Sequence, residues 1–139
     1  MELIDFDPAH LEELVLLERN AEAKFEGMGE ILALYGGFTM RISGQPVACG
    51  GLIRVYPHRL IAWSAITDKM PVLPAVRLAR KFLDKQDALR IETVVDCEDP
   101  TSQRWVEALG FRRETDTPLR AWNHDGSDAY MYVRLKHGH

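Results

Sequence analysis

The 139-residue sequence is 46% hydrophobic and 27% charged with a net charge of −4, values that suit one domain long enough to bury a core. Its longest apolar runs are short, such as "LVLL" at 14–17, against the roughly 20 residues that cross a bilayer, which excludes a membrane helix. The 17 Lys and Arg are dispersed apart from "RLARK" at 77–81, which argues against a nucleic-acid binder driven by phosphate neutralisation.

The opening "MELIDFDPAH" carries acids and no basic-then-apolar export pattern, so the chain is expected in the cytoplasm. "LIDF" reads as a strand, and Asp7-Pro8 starts a helix, with Asp7 as cap and Pro8 in the first turn. Leu11, Leu14, Val15 and Leu17 then recur at helical spacing beside Glu12, Glu13 and Glu18. A weaker helical stretch covers 21–34, interrupted by Gly27 and Gly29 and ended by Gly36-Gly37. From Phe38 the period becomes two: "FTMRIS", a turn at Gly44-Gln45 and "PVACGGLIRVY" predict an antiparallel hairpin. Gly50-Gly51 inside its second strand predicts a bulge or a close backbone approach.

"RLIAWSAIT" at 59–67 is the next strand, followed over 71–85 by a long amphipathic helix with Val72, Val76, Ala79 and Leu83 on one face. "RIETVVD" is a buried strand, "PTSQRWVEAL" a short helix, "FRRET" the start of a strand, "NHDGSD" a turn region and "AYMYVRL" the closing strand. The expected fold class is α/β (α+β), a single domain over 1–139 with a mixed, mostly antiparallel sheet flanked by helices. The helix between the fourth and fifth strands implies a parallel crossover there, with the sheet splayed between those two strands. Cys49 and Cys97 read as reduced thiols, and no ligands at metal spacing accompany them, so no metal is expected. His10, His58, His124, His137 and His139 read as solvated polar residues.

The element order, together with the run "RIETVV", "DCEDP", "TSQRWVEAL" and "GF", resembles the GCN5-related N-acetyltransferase (GNAT) superfamily. The order matches along nearly the whole chain, the residues specifically from about Leu89 to Arg113. Gly110 suits the left-handed position that ends a helix, and Phe111 returns apolar bulk to the core. The resemblance implies acetyl-coenzyme A as cofactor, its pyrophosphate held by loop amides and a helix N-terminus after the fourth strand. That stretch here is "TDKMPVLPAV", and the residues it nominates for the cofactor are Ile66, Thr67, Asp68, Lys69, Ala75 and Arg77. It contains no glycine, Pro71 and Pro74 lack N–H groups, and Asp68 puts a negative charge where diphosphate would settle, with Lys69 and Arg77 as partial compensation. The general-acid tyrosine expected four residues before the Gly of "GF" falls on Val106, and the asparagine that opens this helix falls on Asp99, which can still cap it.

Within the superfamily, "ITDKMPVLPAVRLARKFLDK", the aspartate-rich turn and "RWVEALGF" are similar to the GNAT-like small virion proteins of short-tailed phages and their prophage relatives. That likeness implies a virion-associated or assembly role beside other virion proteins, in a bacterial host's cytoplasm or the virion, with a degenerate acetyl-coenzyme A site.

The candidate proton-transfer groups are Glu92, Tyr130 and Tyr132. Glu92 lies in "RIETVVD" beside the expected sheet opening and could deprotonate an ammonium group; pairing with Arg90 or Arg54 is its plainer reading. Tyr130 and Tyr132 share a strand face and could replace the missing tyrosine, or pack in the core with an exposed hydroxyl. Trp63 reads as core. Two functions follow: a phage-type virion or assembly protein that needs no cofactor, or an active N-acetyltransferase moving acetyl to a small amine or a protein N-terminus. A small-ligand binding module is a third reading with no motif behind it.

Overall fold

The computed structural model describes residues 1–14 and 28–137. The helical positions predicted at 15–17 and 21–27, and His139, lie outside the described residues. Seven strands, β1 (Glu2–Asp5), β2 (Phe38–Ile42), β3 (Gln45–Tyr56), β4 (Arg59–Ile66), β5 (Arg90–Asp96), β6 (Arg112–Arg113) and β7 (Ala129–Leu135), form one sheet in the order β1-β2-β3-β4-β5-β7-β6. The described helices are α1 (Ala9–Glu13), α2 (Gly29–Ala33), α3 (Val72–Asp84) and α4 (Pro100–Ala108). The sheet is mixed and mostly antiparallel, as expected, with one parallel pair. That pair, β4 with β5, runs over Arg59↔Arg90, Leu60↔Ile91 and Ile61↔Glu92.

The chain resolves into two compact units, one comprising 1–54 and 62–71, the other 55–61 and 72–139. In the first, Leu14, Leu32, Cys49, Trp63 and Ala65 form a buried cluster against which Phe6, Leu11 and Ile53 pack, so Trp63 is core. Asp7 starts α1 as its short acceptor side chain allows: Oδ1 accepts from the Ala9 N–H at 2.9 Å. The β2–β3 turn is Ser43-Gly44, one residue earlier than expected, because both adopt positive φ (52° and 80°), the requirement of a two-residue hairpin turn of the primed type.

The register does shift on β3, but at Val47: Met40 pairs with Ala48 and Arg41 with Pro46, which leaves Val47 as the extra residue. Gly50 and Gly51 instead serve close approach. A Cβ on Gly51 would stand 2.9 Å from Trp63 Nε1, 3.0 Å from the Gly36 carbonyl oxygen and 3.1 Å from Gly37 Cα. Backbone on one side and a buried indole on the other leave little room to relax. Gly51→Ala is therefore expected to cost about 2 kcal/mol by overpacking, read as a lower urea midpoint at unchanged slope. An unshifted midpoint would refute the close-approach reading.

His10 departs from its solvated expectation. It is half-buried, its Nδ1 accepts the Asp7 N–H at 3.1 Å, and the same nitrogen lies 2.7 Å from the fully buried Thr39 hydroxyl. Thr39 in turn lies 3.4 Å from Cys49 Sγ, and burial pushes that thiol up to about 11. The fold brings β2 beside α1, a contact 29 residues apart in sequence that composition cannot reveal. His58, His124 and His137 are exposed as expected.

In the second unit α3 and α4 cover one sheet face. α3 is amphipathic: Leu83 is buried and Val76 and Ala79 half-buried as predicted, but Ala75 is buried as well and Val72 is 60% exposed, so the covered stripe is shifted toward Ala75. Arg80 Nη1 donates to the Ala108 carbonyl at 3.1 Å, and Arg134 on β7 pairs with Asp84. Asp99 caps α4 by accepting the Ser102 N–H at 3.0 Å, with Pro100 in the first turn. The helix closes as predicted: Gly110 has φ +96°, its N–H donates to the Glu107 carbonyl (3.0 Å), and the Phe111 N–H donates to the Val106 carbonyl (3.0 Å). This is the Schellman pattern, and Phe111 is buried.

Candidate functional site

Register decides which candidate proton-transfer groups can meet. On β5 and β7, Glu92 stands opposite Val133, whereas Thr93 stands opposite Tyr132 and Val95 opposite Tyr130. Directly opposed residues share a face and successive residues alternate. Tyr130 and Tyr132 therefore lie on the face covered by α4, and Glu92 lies on the other. The three residues are not brought into one constellation.

Glu92 is 4% exposed, and both its oxygens are engaged. Arg59, from the start of β4, donates to Oε1, and Arg90 Nη2 donates to Oε2 at 3.0 Å. Arg90 also reaches Glu114 just past β6, with Nη2 to Oε1 at 2.8 Å. These contacts hold the Glu114 carboxyl below the usual carboxylate range. The carboxylate of Glu92 thus sits in an Arg59–Glu92–Arg90–Glu114 chain, the ion-pair reading with Arg59 in place of Arg54. The register of β4 against β5 places Arg59 there, and alternation within "RIETVVD" could not have named it.

Tyr132 is fully buried, and its hydroxyl donates to Glu107 Oε1 of α4 at 3.3 Å. Desolvation, with the Glu107 carboxylate adding to it, pushes the phenol above its ordinary range, although Arg113 bonds to the same hydroxyl. A phenol moved in that direction is a weaker acid and a poorer proton donor to a departing thiolate. Tyr130 is half-buried with the Arg113 guanidinium 3.6 Å from its ring centroid, a cation–π contact. Val106, at the position expected for a general acid, is buried, as is Trp105 beside it.

The residues nominated for a cofactor have mixed exposure. Ile66, Thr67 and Ala75 are buried; Asp68, Lys69 and Arg77 are exposed. Thr67 ends β4 by donating its N–H (3.2 Å) and its hydroxyl (2.6 Å) to the Val47 carbonyl of β3. The Lys69 N–H then donates to Thr67 Oγ1 at 3.3 Å and the Met70 N–H to the Thr67 carbonyl at 3.2 Å, closing a turn on Thr67. The turn thus directs two of its own amide N–H groups inward. Among the described residues no group of three His, Cys, Asp or Glu is placed to hold a metal ion, and no helix is long and apolar enough to cross a membrane.

No protein-family model matches the chain, and no curated protein matches it by sequence. Solved structures do share its fold. A GNAT-family acetyltransferase from Bacillus anthracis is 15% identical with a TM-score of 0.67, over 97% of this chain and 94% of that one. Ard1 from Thermoplasma volcanium is 16% identical with a TM-score of 0.72, over 96% of each chain. A variant of the spermidine N-acetyltransferase SpeG from Vibrio cholerae is 15% identical with a TM-score of 0.64, over 97% and 95%. The chain therefore has the GNAT acetyltransferase fold, as its element order implied. These likenesses show the fold alone and lend nothing to the virion resemblance.

Proposed function

We propose that this chain keeps the acetyltransferase fold as a scaffold and acts by binding, with the group-transfer chemistry lost. Fold alone does not carry function; the site does. The observation that supports this reading is the division of the proton-transfer candidates: Glu92 on one sheet face inside an ion-pair chain, Tyr132 and Tyr130 on the other, and Val106 where an acid is expected. In this reading the bound partners are proteins, and the virion-associated or assembly role rests on the sequence resemblance alone. A gene placed among capsid or tail genes would support that role, and one placed among metabolic genes would count against it.

A second reading, acetyl transfer from acetyl-coenzyme A to a small amine or a protein N-terminus, is favoured by acetyltransferase neighbours that match over nearly their whole length. Thiol release from acetyl-coenzyme A, followed with a chromogenic disulfide across polyamines and peptide N-termini, separates the two. The expected result is release at the uncatalysed rate with every acceptor. Release above that rate with any acceptor would overturn the scaffold reading in favour of transfer, and its loss in Tyr132→Phe would name Tyr132 as the proton donor.

A further inference from the structure

We infer that the loop after β4 does not hold the diphosphate of acetyl-coenzyme A, because Thr67 has taken the amides a diphosphate would need. This goes beyond the loss of proton transfer, since an inert protein can still bind the cofactor. A backbone cradle works by pointing several free N–H groups at one anion. Of the eight residues 67–74, Thr67, Lys69 and Met70 donate within the protein. Pro71 and Pro74 have no N–H, so five of the eight offer no free donor.

The arrangement is held from β3. Thr67 is 4% exposed, and both its N–H and its hydroxyl converge on the Val47 carbonyl. Swinging Thr67 away to free Lys69 would leave that buried carbonyl without its donors, which disfavours the rearrangement. Within the turn the charges are also mixed, the exposed Asp68 repelling an anion that the exposed Lys69 attracts.

Titration calorimetry on the full chain with acetyl-coenzyme A, and separately with inorganic pyrophosphate, tests this. Acetyl-coenzyme A is expected to bind no tighter than about 1 mM, and pyrophosphate no tighter. Asp68→Gly combined with Pro71→Gly restores an amide and removes the opposing charge. It should tighten acetyl-coenzyme A roughly tenfold, the worth of one regained charge-assisted bond. Pro74→Ala, exposed in the first turn of α3, is a second variant should the loop double variant not fold. Micromolar binding by the unaltered chain would overturn the inference. So would a folded variant that binds no better, since donor supply would then not be the cause. Micromolar binding without thiol release would refute this inference alone and leave the scaffold reading standing, whereas release above background refutes that reading at any affinity.

Discussion

Gly110→Val is expected to lower the melting temperature by roughly 10 °C, the equivalent of about 3 kcal/mol in a chain of this size. Two penalties combine. At φ +96° a residue with a Cβ is strained, and a β-branched one more so, which accounts for about 1–2 kcal/mol. The added Cβ would also stand 3.0 Å from Arg134 Nε, so the guanidinium must move off its pairing with Asp84. That pair contributes little by itself, because Asp84 is 61% exposed. The larger loss is the Schellman closure that turns the chain from α4 into the buried Phe111. Gly126→Ala serves as a reference: its φ is +84° with nothing within 4 Å, so it should cost the backbone term alone, about 1 kcal/mol. A Gly110→Val melt equal to that reference would show that packing at the Gly-Phe closure is immaterial.

Glu92→Leu is expected to cost about 3 kcal/mol, because it leaves Arg59 and Arg90 facing each other without the buried carboxylate between them. The figure sits at the low end of the range for broken buried pairs, since the two arginine side chains are 37% and 25% exposed and partly solvated. Adding Arg59→Leu should recover part of the loss, because Arg90 keeps Glu114 as its partner and the face becomes apolar. Urea unfolding of the single and double variants reads both effects. An unchanged midpoint in Glu92→Leu would remove the structural role and return Glu92 to consideration as a base.

Local chemistry made much of this fold legible. Asp99 followed by Pro100 announces a helix start, and its side chain caps Ser102; Gly110-Phe111 announces the stop, and both backbone bonds form. A switch of hydrophobic period at Phe38 marks the change from helix to hairpin, and β2 begins there. Each signal acts within four or five residues, so the sequence by itself determined these elements. What it misjudged was one step finer: the hairpin turn by one residue and the buried stripe of α3 by part of a turn, where packing partners elsewhere choose among nearly equal local options.

The candidate site was decided by tertiary structure. A strand's faces alternate every residue, so a one-residue difference in pairing exchanges the two faces, and that pairing is chosen by a strand far along the chain. "RIETVVD" and "AYMYVRL" named Glu92, Tyr130 and Tyr132 correctly as polar groups in strands, but only the register of β5 with β7 put them on opposite faces. Likewise "TDKMPVLPAV" revealed its missing glycines and its two prolines, while the loss of the Lys69 and Met70 amides depends on Thr67 docking to Val47, 20 residues earlier. Arg59 reached Glu92 across 33 residues for the same reason. Propensity, capping and helix termination are short-range free energies written into neighbouring residues, whereas the availability of a proton or an amide depends on what the folded chain sets against it.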